Sequence, residues 1–300
     1  MNLKDFEYVK AIAQYKHFRK AANACFVSQP TLSGQVKKLE HELGVTLFDR
    51  STKQVTLTAK GERLLTQIEI ILEQTQILKE LAATSNEPLQ GKLTIGIIPT
   101  IAPYLLPALL TSMKAAFIGS QFSFIEMQTA TILEALNNGE LDFAILADVP
   151  ELINYHTVAL YKEDFLVAVS QDNALSKHKK VALSDLQGCS LLMLSDGHCF
   201  KDQAQKFCFS AGVDVSNQYK GNSLETLLAL VAMDDGITFV PKLACTDRVG
   251  IDYLPIFPNQ QRNVVFACRK HYPHLSGVEQ LGKWLSAHPN LKAKLTKDLG

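Results

Sequence analysis

From Lys92 onward the chain alternates between two periods of apolar residues that no single kind of element can satisfy. Lys92–Ile98 reads as a buried strand, Pro103–Phe117 as a helix, Gln121–Gln128 as a strand, Thr131–Asn138 as a helix and Leu141–Leu146 as a strand. This succession predicts a parallel sheet with helices on both faces, because each crossover helix buries its apolar stripe on the sheet it spans. A second block follows, with strands at Phe165–Val169, Ser190–Leu194 and Ile237–Val240 and helices at Cys199–Ala211 and Leu224–Asp234. A strand at Arg262–Cys268 and a helix at Val278–His288 return the chain to the first block. Two small α/β lobes with a cleft between them are predicted, and ligands in such folds sit where strand ends face the cleft.

The region before this is differently built. Over 300 residues the 30 basic and 30 acidic side chains cancel, which by itself argues against a polyanionic partner. Their distribution argues the opposite. No acidic residue lies between Glu7 and Glu40, where Lys10, Lys16, Arg19, Lys20, Lys37 and Lys38 all fall. Residues 1–63 hold 11 basic and 6 acidic side chains, and the remainder holds 19 and 24. A basic head on an acidic body implies that the head alone meets a nucleic acid.

The head also has the local signals of a DNA-reading fold. Residues 1–17 carry Leu3, Phe6, Val9, Ile12 and Ala13 at helical spacing, and Phe18–Cys25 forms a short helix whose alanines admit close packing. Ser28 is a good N-cap for a third helix, Gln29–Glu40, with Pro30 in the first turn where its missing N–H costs nothing. Leu32, Val36 and Leu39 face inward, leaving Thr31, Ser33, Gln35 and Lys38 outward. This is a helix-turn-helix with a polar, basic recognition face. Residues 47–58 read as a hairpin wing with Arg50 and Lys53 near its tip. Gln29, Thr31, Ser33, Gln35 and Lys38 are expected to reach base edges or phosphates, Arg50 and Lys53 to touch backbone or minor groove. Arg19, Ser28 and Pro30 complete the DNA-facing set. The bland alternative for Lys37 and Lys38 is a solvated face. From Ala59 to about Thr84 a long helix carries Leu64, Leu65, Ile68, Ile71, Leu72, Leu78 and Leu81 in a near-heptad seam. The seam calls for a partner helix, or else packs on its own domain. Ser85–Pro88 ends it.

The N-terminus lacks the build of a signal peptide, and no apolar run approaches the ~20 residues of a membrane helix. A cytoplasmic protein with no membrane partner is expected. There the six cysteines, Cys25, Cys189, Cys199, Cys208, Cys245 and Cys268, are reduced thiols, and a disulfide among them is transient. Their spacings match no zinc site, so no metal and no other cofactor is expected.

The stretches Phe18-Arg19-Lys20-Ala21-Ala22, Ser28-Gln29-Pro30-Thr31-Leu32-Ser33, Leu39-Glu40, Leu43-Gly44, Leu47-Phe48-Asp49-Arg50 and Leu57-Thr58 before Gly61 together resemble the LysR-type transcriptional regulators. That resemblance implies an α/β protein with an N-terminal winged helix-turn-helix, a long linker helix, and a two-lobed regulatory domain like a periplasmic binding protein. The corresponding divisions are 1–58, 59–88 and 89–300, with the first lobe at about 89–162 and 268–300 and the second at about 163–267. It also implies double-stranded DNA as partner, a homodimer through the linker helix, a homotetramer, contact with RNA polymerase, and no enzymatic activity.

A narrower likeness lies in the body. Gly197-His198-Cys199-Phe200-Lys201-Asp202-Gln203-Ala204, then Phe207-Cys208-Phe209, resembles the segment by which one branch of that family senses hydrogen peroxide. Ile97–Thr100, Pro103–Pro107 and Ser223–Leu227 match the same branch. The likeness implies hydrogen peroxide as effector and a cellular thiol as reductant. It further implies a pocket in which Thr100 and Thr129 hold the peroxide within a network including His198 and Asp202. Taken alone, a threonine at a strand end is often a plain cap.

The residues of this segment carry their own argument. Phe200, Ala204, Phe207, Cys208 and Ala211 form one apolar stripe, while Cys199 shares its face with Asp202, Gln203 and Lys206. Cys199 stands at the expected helix start, where exposed N–H groups favour a thiolate and His198 and Lys201 add to that. A thiolate gives a sulfenic acid with peroxide, and a second thiol converts it to a disulfide. Cys199 is the expected attacking residue and Cys208 the resolving one. Nine helical positions at ~1.5 Å each put their backbones roughly 13 Å apart. A disulfide tolerates about 7 Å between α-carbons. Bond formation must therefore dismantle the helix. The other four cysteines read as inert packing thiols. Two competing functions remain: a regulator answering a small organic effector in the cleft, and a thiol peroxidase, against which the helix-turn-helix argues.

Overall fold

The Asn2 side chain accepts the Asp5 N–H at 3.0 Å while the Asp5 carboxylate accepts the Asn2 N–H at 2.8 Å, and this reciprocal cap starts α1 (Leu3–Tyr15). In the computed structural model, which describes residues 1–49, 55–83, 89–194 and 223–296, the chain divides into two units, Met1–Ala83 and Thr84–Gly300. Lys16 ends α1 in the left-handed conformation, and α2 (Phe18–Ala24) follows. The Ser28 hydroxyl accepts the Thr31 N–H to begin α3 (Gln29–Leu43), which stops at Gly44 with φ +65. Val9, Ile12, Ala21, Ala22, Leu32, Val36 and Leu39 form the core of this unit. The wing is the antiparallel pair β1 (Phe48–Asp49) and β2 (Thr56–Leu57).

The linker helix α4 (Ala59–Ala83) divides its stripe. Leu64, Leu65, Ile68 and Leu72 pack on the head. Ile71 and Leu78 stay 41% and 67% exposed within this chain, and the side chain of Leu81 lies outside the described residues.

In the second unit β3 (Gly91–Ile97), α5 (Ala102–Ala116), β4 (Ser120–Glu126), α6 (Thr129–Asn137) and β5 (Phe143–Ala147) form the parallel core expected from sequence, in the strand order β4-β3-β5. The sheet is not parallel throughout, however. The chain continues through β6 (Tyr155–Ser170), β7 (Val181–Ala182), α7 (Leu224–Ala232), β8 (Thr238–Pro241), β9 (Ile251–Phe257), β10 (Gln261–Arg269), α8 (Leu275–Ala287) and α9 (Pro289–Thr296). Strand β10 runs antiparallel between β5 and β6, so the sheet is mixed.

Strand β6 starts ten residues before the expected Phe165. Its first half, with His156, Thr157, Lys162, Glu163 and Asp164, is too polar to read as strand, yet it pairs with β10 throughout. From Phe165 on, β6 pairs instead with β8 and β9, and β9 pairs with β7. One strand thus serves both lobes. Strand β10 belongs to the first lobe's sheet from Gln261, which moves the return crossing ahead of the expected division at 268. The expected strand at Ser190–Leu194 contributes one isolated bridge, Leu191 to Ile237. The expected helix Cys199–Ala211 lies outside the described residues.

Candidate functional site

The residues expected to meet DNA begin at the α3 cap. Ser28 and Thr31 share a hydroxyl–hydroxyl hydrogen bond of 2.7 Å on the exposed end of the helix. Gln29, Pro30, Thr31 and Lys38 are exposed, Ser33 and Gln35 half-buried, and Arg19 is exposed on α2. On α3 the buried residues are Leu32, Val36 and Leu39. Glu40 does the anchoring: one carboxylate oxygen accepts the N–H groups of Leu47 at 2.8 Å and Phe48 at 3.3 Å, tying the end of α3 to the wing. Thr58 donates to the Thr46 carbonyl at 2.7 Å and accepts the Gly61 N–H at 2.9 Å, so it closes the wing and caps α4 together. A β-carbon at Gly61 would collide with the Leu47 carbonyl oxygen, which explains why glycine stands there. Arg50 and Lys53 lie outside the described residues.

Thr100 and Thr129 occupy equivalent places in the regulatory unit. Ile97 of β3 is in register with Glu126 of β4, and each threonine follows three residues beyond its strand's last residue. Both therefore sit at the carboxyl edge of neighbouring parallel strands. Thr100 is 1% exposed, and its Oγ1 accepts from Arg262 Nη1 at 2.9 Å. Because a guanidinium can only donate, it occupies a lone pair of Thr100 and leaves the hydroxyl proton to point elsewhere.

Arg262 is itself held inside the protein. Its Nε donates to Glu163 Oε1 at 2.9 Å and its Nη2 lies 2.8 Å from the same oxygen, with both side chains wholly buried. The other Glu163 oxygen accepts the Leu243 N–H at 2.7 Å. A buried pair whose remaining lone pairs are satisfied escapes most of the desolvation penalty that charge burial carries. Sequence reading missed this pair, treating Arg262 only as the start of a strand. No local signal marked it, because Glu163 sits between Lys162 and Asp164 in a stretch too polar to read as strand.

Thr129 is the first residue of α6 and is 8% exposed. Its Oγ1 is fully buried with no hydrogen-bond partner among the described residues. Cys199, Cys208, His198 and Asp202 all lie outside the described residues.

The four described cysteines are free thiols. Burial raises the pKa of Cys25, with the Glu7 carboxylate adding to it, and burial alone raises that of Cys189. Cys245 is pushed far up by burial, and Cys268 up to about 12. Raised pKa values keep these sulfurs protonated near neutrality, and the protonated form is the poor nucleophile.

Residues 3–62 match the bacterial regulatory helix-turn-helix proteins of the lysR family, and residues 86–290 match the LysR substrate binding domain. The chain belongs to the LysR family of transcriptional regulators and is a DNA-binding regulator rather than an enzyme. Within that family it is similar to the hydrogen peroxide-inducible genes activator of Dickeya chrysanthemi, 43% identical over 295 residues that cover 97% of each chain. Among solved structures it resembles a full-length OxyR variant from Pseudomonas aeruginosa, with 32% identity, a TM-score of 0.67 and 99% of each chain covered. It also resembles a hydrogen-peroxide-bound OxyR mutant from Corynebacterium glutamicum, with 31% identity and a TM-score of 0.65 over 98% of this chain and 94% of that one. Among the described residues no helix is long and apolar enough to cross a membrane.

Proposed function

We propose that this chain is a peroxide-responsive transcriptional regulator of the cytoplasm, in which hydrogen peroxide oxidises Cys199 and Cys208 and so alters DNA binding and transcription of oxidative-stress genes. The observation that carries the reading is the Thr129 hydroxyl, buried and without a partner among the described residues. Such a group costs about 1–3 kcal/mol unless a small polar molecule satisfies it. Thr100, at the matching place on the next strand, has its lone pair taken by Arg262 and its proton free to donate. The names of the relatives support peroxide as that molecule.

The Cys199 thiolate attacks one peroxide oxygen, the O–O bond breaks, and the second oxygen leaves as hydroxide, taking a proton to become water. The Cys208 thiolate then attacks the sulfenic sulfur, the S–S bond forms as the S–O bond breaks, and the departing hydroxide takes up the proton that Cys208 released to become a second water. His198 and Asp202 line this chemistry in our reading, and a cellular thiol reductant reverses it. The exposed Ile71 and Leu78 of α4 receive the linker helix of a second copy, pairing two DNA-binding heads, and two such dimers form the tetramer that contacts RNA polymerase.

The test is peptide mapping of the full chain after mild peroxide. One Cys199–Cys208 disulfide, absent in Cys199→Ser, supports the reading. Both thiols remaining reduced while DNA protection shifts overturns it. A metabolite that alters DNA protection in the Cys199→Ser, Cys208→Ser double variant would favour an organic effector instead.

A further inference from the structure

Helix α7 starts immediately after the segment that holds both redox cysteines, and its first turn is gripped from the other lobe. Ser223 caps α7, its hydroxyl accepting the Thr226 N–H at 3.3 Å. Two residues on, the Glu225 carboxylate accepts the Tyr104 hydroxyl proton at 2.7 Å. Arg248 closes on the same carboxylate, with Nη2 2.7 Å from Oε1 and 2.6 Å from Oε2, and its Nε donates to the Thr246 hydroxyl at 3.1 Å.

The two sides of this contact belong to different lobes. Tyr104 is 4% exposed on α5, which packs on the β4 side of the first sheet. Lys294 of α9 donates to the Tyr104 carbonyl at 2.7 Å and fixes that turn of α5 within the first lobe. Glu225 and Arg248 belong to the second lobe, where α7 packs on β6, β8 and β9. Burial, with the Glu225 carboxylate beside it, drives the Tyr104 pKa far upward, so the phenol remains a donor at any working pH.

We infer that Tyr104, Glu225 and Arg248 are positioning residues for the redox step: they clamp the C-terminal anchor of the cysteine segment to the first lobe and so restrain the rearrangement that brings Cys208 to Cys199. The inference rests on the function proposed above. A helix over this segment, as expected from the sequence, would hold the two thiols apart, and forming the disulfide would then pull on whatever holds the segment's ends. A charge-assisted hydrogen bond between lobes is roughly twice as strong as a neutral one. Removing the Tyr104 hydroxyl lowers the barrier to that movement without touching either sulfur.

The experiment is quenched-flow oxidation of the full chain with hydrogen peroxide, followed by thiol alkylation and peptide mapping. Sulfenylation of Cys199 is timed in a Cys208→Ser background, and disulfide formation in the background with both cysteines. In Tyr104→Phe the disulfide step is expected to accelerate about three- to tenfold while sulfenylation keeps its rate. Glu225→Gln, which weakens the Arg248 contact as well, should accelerate it at least as much. Ser112→Ala, which removes a different α5 hydroxyl bonded to His288, should change neither step and controls for general loosening of the lobe. An unchanged or slower disulfide step in both clamp variants overturns the clamp and leaves the proposed function standing. No peroxide-driven disulfide in the parent chain overturns both.

Discussion

Arg262 donates to Thr100 from a strand 162 residues further along the chain, and the 2.9 Å contact lies wholly inside the protein. The same guanidinium neutralises Glu163, so one side chain sets the direction of the Thr100 hydroxyl and balances a buried charge. These two duties should separate by mutation. Arg262→Met strands the Glu163 carboxylate, and the regulatory unit is expected to lose about 3–5 kcal/mol of stability. Adding Glu163→Leu should recover part of that. Urea unfolding followed by the fluorescence of the single tryptophan, Trp284, reads both effects.

Thr129→Val removes a hydroxyl that has no partner among the described residues and replaces it with a methyl group of similar size. Stability should rise by about 1 kcal/mol, because an unsatisfied buried group has been deleted. Oxidation of Cys199 by peroxide should fall roughly tenfold or more if that hydroxyl helps to hold the peroxide. A variant that gains stability and keeps its rate would remove Thr129 from the pocket.

The four described cysteines should be poor targets for alkylation in the folded protein near pH 7, with Cys245 and Cys268 the slowest. Unfolding in guanidinium should expose all six thiols to labelling. Linkage gives the accompanying pH dependence. For Cys268 the folded pKa of about 12 lies above the ordinary 9.0 of a thiol, so its contribution is complete below pH 9. That contribution is then lost as the pH climbs toward 12, because the unfolded thiol releases its proton first. Tyr253, pushed up to about 12 by burial, adds to the same alkaline decline.

Gly61→Ala should disable DNA binding from outside the recognition helix. The new methyl group meets the Leu47 carbonyl and, at 3.2 Å, a Leu57 methyl, forcing the wing away from α4. A loss of about 1–3 kcal/mol in head stability is expected, with the fluorescence of Trp284 unchanged.

Lys38→Gln should weaken binding to every DNA sequence about equally. If Lys38 meets a phosphate, the slope of log affinity against log salt falls by about 0.9. A loss confined to particular operator sequences would mean that Lys38 reads a base.

The head was largely legible from sequence because its signals are local. Ser28 and Pro30 mark the start of α3, which runs three residues past the expected Glu40, and Leu32, Val36 and Leu39 repeat at the period of the face they bury. The parallel β3–α5–β4–α6–β5 core was legible for the same reason. Thr100 and Thr129 entered by resemblance, since a threonine after a strand has no local pattern that distinguishes a ligand from a cap. The first half of β6 escaped because its polar residues satisfy one another across the pairing with β10, as Glu163 does with Arg262.

By itself, then, the sequence determined the head, the parallel β3–α5–β4–α6–β5 core and the spacing of two cysteines set nine positions apart. Only tertiary structure decided which distant groups meet: Glu163 with Arg262 across 99 residues, Tyr104 with Glu225 across 121, and Thr100 with Arg262 across 162. The reason is physical. Caps and periods act over one or two turns of chain, whereas a buried charge finds its partner only after the strands that carry both have been brought together.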